Sequence, residues 1–125
     1  MPNWTRNEVL SMQKNISDRI RKSKKCHALR QDLLDQLRAA GIDTAVNRDL
    51  VEDYISLWVI KQWVMIDIRT RGPVITYNNG GGQSGTKENP SIAYQLKLSS
   101  QMLKILKQLG LSGEGAAGGD AFDGL

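Results

Sequence analysis

The fold turns on NRDLVEDYISLWVIKQWVMIDIRTR, residues 47–71. Asn47 is a good helix N-cap, and Asp49, Glu52 and Asp53 follow it near the positive end of a helix dipole. No Gly or Pro interrupts the run until Gly72-Pro73 stops it. This predicts a helix of about 24 residues, about 36 Å long. Its apolar residues, Leu50, Val51, Tyr54, Ile55, Leu57, Trp58, Val59, Ile60, Trp63, Val64, Met65, Ile66 and Ile68, are more than one stripe. A helix apolar nearly all round must be covered nearly all round. A chain of 125 residues has few other elements to cover it, so neighbouring subunits are expected to help.

On the N-terminal side, no Gly or Pro occurs between Pro2 and Gly41. Thr5-Arg6-Asn7-Glu8 reads as a capping box. Val9, Ile16 and Ile20 share one helical face, and the apolar pattern resumes at Leu29, Leu33, Leu34 and Leu37. At about 100° per residue Leu29 points roughly opposite to Ile20. Two helices with a turn near Ser23–Cys26 are therefore expected; one long helix buried on both faces is the alternative. Gly41 is placed to close the second helix as a C′ glycine.

On the C-terminal side, Pro73–Tyr77 is strand-like, and Asn78 to Gly82 signals a turn in which Asn79-Gly80 is the favoured hairpin dipeptide. Gln83 to Lys87 is the return strand. Asn89-Pro90 starts a final helix, with Asn at the N-cap and Pro at N1, running to Leu109. It carries two stripes: Ile92, Leu96, Leu103 and Leu106, then Leu98, Met102, Ile105 and Leu109. Gly110-Leu111 should end it as a Schellman motif, with Leu111 against Leu106. The tail, 112–125, is Gly/Ala-rich, carries Glu114, Asp120 and Asp123, and is expected to be disordered alone, with Phe122 and Leu125 as its bulky apolar residues. The organisation expected is a basic helical region over 1–41, a core of helix, hairpin and helix over 42–111, and the tail. The fold class is mainly α, with a helix-turn-helix-like N-terminal pair. The oligomerisation residues expected are Tyr54, Trp58, Trp63, Leu103 and Leu106.

One cysteine (Cys26) and one histidine (His27) exclude an internal disulfide and a four-ligand structural zinc site. No cofactor is expected. Gly80 to Lys87 invites comparison with a phosphate-binding loop, but Thr86 precedes Lys87, whereas the motif needs Lys before the hydroxyl. Glu52 and Asp53 are adjacent, so on a helix they diverge rather than form an acid/base pair. The chain does not read as an enzyme. The start, Met1-Pro2-Asn3-Trp4, has no apolar signal core, and no uncharged run approaches the length of a membrane span, so a soluble intracellular protein is expected.

Charge is the informative remainder. The net charge is +4, and nine Lys/Arg against four Asp/Glu fall within residues 1–40. Arg19, Arg21, Lys22, Lys24, Lys25 and Arg30 crowd the turn between the first two helices, a pattern that suits DNA phosphates. Arg69 and Arg71, or Lys97, Lys104 and Lys107, are the next candidates. His27 reads as one more polar residue of this surface and Cys26 as a buried spacer.

The order of features from Leu50 to Leu111 resembles the small subunit of tailed-bacteriophage terminases. The residues that carry it are the Tyr54…Trp58 helix, the Arg71-Gly72-Pro73-Val74 exit, the Gly-rich hairpin, Glu88-Asn89-Pro90-Ser91-Ile92, and Gln101 to Leu111. The resemblance implies a non-catalytic factor in the host cytoplasm. It would assemble as a homo-oligomeric ring, bind double-stranded viral DNA and regulate the large subunit, which holds the ATPase and nuclease, with no membrane partner. A helix-turn-helix transcriptional regulator and a non-DNA assembly adaptor are the other readings of the same residues.

Overall fold

The computed structural model describes residues 3–111. Four helices and one hairpin follow in order: α1 (Arg6–Arg21), α2 (Lys24–Ala39), α3 (Ala45–Arg71), β1 (Val74–Gly80), β2 (Gln83–Glu88) and α4 (Pro90–Leu109). The acidic tail expected over 112–125 lies outside the described residues.

The expected capping box opens α1: the Glu8 amide donates to Thr5 Oγ1 at 3.1 Å, and the Thr5 amide donates to Glu8 Oε2 at 2.7 Å. The break after Arg21 is the two-helix solution, not one long helix. Ser23 makes it: its hydroxyl donates to the Ile20 carbonyl at 2.6 Å and accepts from the Cys26 amide at 3.2 Å. One side chain thus closes α1 and caps α2. Gly41, at φ +71°, closes α2 as expected, and the Ile42 amide reaches back to the Leu37 carbonyl at 2.9 Å.

The start of α3 corrects the sequence reading. Thr44, not Asn47, is the N-cap, accepting from the Asn47 amide at 3.2 Å. Asn47 sits in the first turn, and its amide side chain donates to the Ile42 carbonyl at 2.8 Å. The helix therefore has 27 residues and is about 40 Å long. Its end is as expected, with Gly72 at φ +82°.

A core of Cys26, Leu33 and Leu37 from α2, Val51, Ile55, Trp58 and Val59 from α3, and Met102 and Leu109 from α4 forms where the three helices meet. Leu37 and Ile55 are fully buried, so truncation of either to Ala costs about 2–5 kcal/mol. α4 returns along α3, and this is the most extensive packing in the chain. α2 covers the N-terminal half of α3. α1 lies along the C-terminal half: Ile20 shares a hollow with Trp58 and Gln62, and Gln13 shares another with Trp63 and Thr70. The chain itself thus supplies most of the cover that the apolar α3 requires. Of the α3 residues from Leu50 to Ile68 named above, only Ile66 is exposed.

Beyond Val46 and Ile66 of α3, the exposed apolar surface lies on other elements. α1 buries no residue, and Val9, Met12 and Ile16 form an exposed stripe on it. On α4 the stripe of Leu98, Met102 and Leu109 is buried, whereas Leu96 and Leu103, one heptad apart, are 68% and 64% exposed.

β1 and β2 pair antiparallel, with Tyr77 opposite Gly85, and pack on little else. The turn is the second correction. Gly80 pairs with Gln83, so Gly81-Gly82 is the turn dipeptide and the register slips between Asn78 and Gly80. Both turn glycines have positive φ, 59° and 83°, as a type I′ turn requires. The Tyr77 ring lies across Gly85, where a Cβ would stand 2.9 Å from the phenol oxygen.

Candidate nucleic-acid interface

The break between α1 and α2 gathers positive charge by local rules. Arg19 and Arg21 occupy the last turn of α1, where a helix dipole favours cations. Lys24 and Lys25 occupy the first turn of α2, which contains no acid. That end of a helix disfavours cations, so helix stability alone does not account for the two lysines. Their charge adds to that of the helix N-terminus and makes the corner attractive to anions. Arg19, Arg21, Lys22, Lys24 and Lys25 are all exposed.

The sixth expected member stands apart. Arg30 is half-buried, and its Nε is 3.0 Å from Glu52 Oε2 on α3. Arg71, a reserve candidate, is likewise engaged: it donates to both Asp67 oxygens at 2.6 and 2.8 Å and to Asn89 Oδ1 at 3.1 Å. Arg69, two residues earlier, turns the other way. With Gln62 it lines a hollow of about 320 Å³ that it shares with Arg19, Ile20, Ser23 and Lys25, over Trp58 and Ile66. Positions 58, 62, 66 and 69 lie on one face of α3, the face α1 packs against. Among the described residues Arg19, Arg21, Lys22, Lys24, Lys25 and Arg69 form no ion pair. Asp18 is the carboxylate in this corner, lining a shallow depression with Arg19, Lys22 and Lys24. Arg69 stood in reserve in the sequence reading and Gln62 was missed. Their helical phase to Trp58 was visible; that α1 covers this phase was not.

The residues expected to join subunits divide. Trp58 is 9% exposed and belongs to the protomer's own core. Tyr54 and Leu106 are half-buried against that core, and burial pushes the Tyr54 phenol above its usual pKa. Trp63 is half-buried beside the hollow under Gln13, and Leu103 is exposed. His27 is exposed and Cys26 fully buried.

A polar latch sets the far end of α3 against α4. Asn89 is fully buried. Its Nδ2 donates to the Gly72 carbonyl at 3.0 Å and to Asp67 Oδ2 at 3.2 Å, and its Oδ1 accepts from the Ser91 amide at 3.0 Å. Ser91 Oγ donates to Asp67 Oδ2 at 2.6 Å. Hydrogen bonds from Arg71 and then Ser91 hold the Asp67 carboxyl well below the usual carboxylate range.

No group of three or more His, Cys, Asp or Glu is placed to hold a metal ion among the described residues, and no helix there is long and apolar enough to cross a membrane. A family model described as phage terminase, small subunit, matches residues 27–117. The match takes in α3, the hairpin and α4 entire, and begins at His27, just beyond the cationic break. No individual curated protein and no solved structure matches the chain.

Proposed function

This chain belongs to the phage terminase small-subunit family, and from that premise we propose that it is the DNA-recognition factor of a genome-packaging machine. Protomers assemble into a ring. The cationic corners repeat around one rim and contact the backbone of double-stranded viral DNA. The assembly regulates a large subunit that carries the ATPase and nuclease, and it acts in the host cytoplasm without catalysis of its own.

The observation that supports this reading is the corner at the α1–α2 break. Five exposed cations of the expected cluster stand together there, two of them at a helix end that disfavours them. One such corner is a modest DNA site; a ring of them is multivalent, and effective concentration raises avidity without any new contact. The exposed apolar stripes of α1 and α4, with Leu103 and the partly exposed Trp63, supply surface for subunit contacts.

The test has two arms. Native mass spectrometry should give a single species of many subunits; a clean monomer or dimer at tens of micromolar removes the ring. Charge reversal of Arg21, Lys22, Lys24 and Lys25 together should weaken duplex binding and flatten its salt dependence. Unchanged affinity and slope would place DNA contact on another surface.

A further inference from the structure

The hollow at the helix break brings cations from three helices to one opening: Arg19 from α1, Lys25 from α2 and Arg69 from α3. Ser23 and Gln62 add neutral polar groups, and no carboxylate is among its lining residues within the described part of the chain. None of the three cations has an acidic partner within 4.0 Å among the described residues. Three cations lining one hollow, with no acid in its lining among the described residues and Asp18 in the neighbouring depression, match a tetrahedral oxyanion, which accepts several charge-assisted hydrogen bonds at once. The floor of Ile20, Trp58 and Ile66 offers no open stacking face, since Trp58 is 9% exposed, so the site suits a phosphate rather than a base.

We propose that this hollow is a phosphate-binding subsite in which Arg19, Lys25 and Arg69 hold one phosphodiester of the DNA backbone, with Gln62 as an additional donor. The proposal rests on the DNA-binding reading above and deepens it. The contact surface becomes a clamp built by three helices. Arg69 and Gln62 of the central helix join it, and Arg30, held by Glu52, stays outside it. Arg69 and Gln62 lie on the helix that carries the core, and Lys25 adjoins the buried Cys26, so packing fixes where their backbones stand before DNA arrives.

The experiment is fluorescence anisotropy of the full chain on two duplexes of equal length and unrelated sequence, from 50 to 200 mM salt. Arg69→Gln should lower the slope of log affinity against log salt by about 0.9 per engaged protomer. The same term extrapolated to 1 M makes binding about eightfold weaker per contact at 0.1 M, equally for both duplexes. Arg69→Lys should keep most of the slope. Arg19→Gln makes the same prediction from another helix, so the clamp stays testable if one variant misfolds. If Arg69→Gln and Arg19→Gln both leave slope and affinity unchanged while the fourfold charge reversal abolishes binding, the clamp is wrong and the DNA-binding reading stands. If the fourfold reversal also changes nothing, the cationic corner is not the DNA surface and the clamp falls with it. Selective loss on one duplex would mean a base contact and overturn the phosphate assignment.

Discussion

Replacing Asn89 with Ala should be among the most damaging single changes at the far end of α3, and its cost is calculable from two of its four hydrogen bonds. The side chain is fully buried and all four of its hydrogen bonds are part-buried, so only some of the partners it leaves reach water easily. Loss of the N-cap of α4, where Oδ1 accepts from the Ser91 amide, costs about 1 kcal/mol. The Gly72 carbonyl loses its 3.0 Å donor, which adds about 1–3 kcal/mol for an acceptor orphaned in a part-buried site. The Asp67 and Arg71 contacts are partly exposed and are left out of the sum, because water replaces much of them. The total is about 2–4 kcal/mol, or about 8–16 °C in Tm for a domain of this size. Asn89→Asp separates the parts: it keeps a capping oxygen but removes the amide donor and sets a second carboxylate beside Asp67. The assay is urea unfolding followed by tryptophan fluorescence at fixed protomer concentration, since assembly shifts apparent stability. An Asn89→Ala midpoint within about 0.5 kcal/mol of the parent would refute the argument. So would an Asn89→Asp variant as stable as the parent at neutral pH, because it would show that the amide donor contributes nothing.

Three further outcomes follow from the same geometry. Asp67 has a folded pKa below its unfolded one, so its contribution is present above the ordinary carboxylate range, about pH 4, and is lost as pH falls toward the folded value. Asp67→Asn should therefore be less stable than the parent at pH 7 and converge on it in acid; parallel pH profiles would contradict this. Ser23→Ala removes the cap on Cys26 and the bond to the Ile20 carbonyl, and should cost about 1 kcal/mol by denaturant midpoint, with the loss of ellipticity confined to α1 and α2. The Cys26 thiol is fully buried, so a thiol reagent should label it only through unfolding, with a rate that rises with urea; immediate stoichiometric labelling of the native chain would contradict the core described here.

Much of the fold was legible because local chemistry and tertiary packing agree. The half-turn phase jump between Ile20 and Leu29 marked the α1–α2 break, and Ser23 supplies the hydroxyl that makes it. Asn89-Pro90 and Gly110-Leu111 bracketed α4 because cap residues have local reasons that packing does not override; the Leu111 amide indeed reaches the Leu106 carbonyl at 2.8 Å. The start of α3 was misread because Thr44 and Asn47 are both competent caps three residues apart. The choice falls to Thr44 because Asn47 then satisfies the Ile42 carbonyl from inside the helix. The hairpin turn was misread because three glycines in a row all accept positive φ, and the register depends on cross-strand partners such as Tyr77 and Gly85. For the candidate site, the lysine-rich run was visible, but which cations are free was not. Arg30 is taken by Glu52, 22 residues away, and Arg71 by Asp67, whereas Arg69 meets Arg19 only once α1 has folded over α3.

The lack of any buried residue in α1 also has a consequence in time. A helix held only by half-covered side chains opens without waiting for the rest of the domain, so its amides should exchange with solvent far sooner than those around Ile55. The opening is uneven along its length. Ile20, packed against the core, pins the last turn, while residues 6–12 are all exposed, with the Thr5 box as their cap. Fraying therefore starts at the end remote from Arg19, and the phosphate clamp keeps its shape while the helix that contributes to it unwinds from the other side.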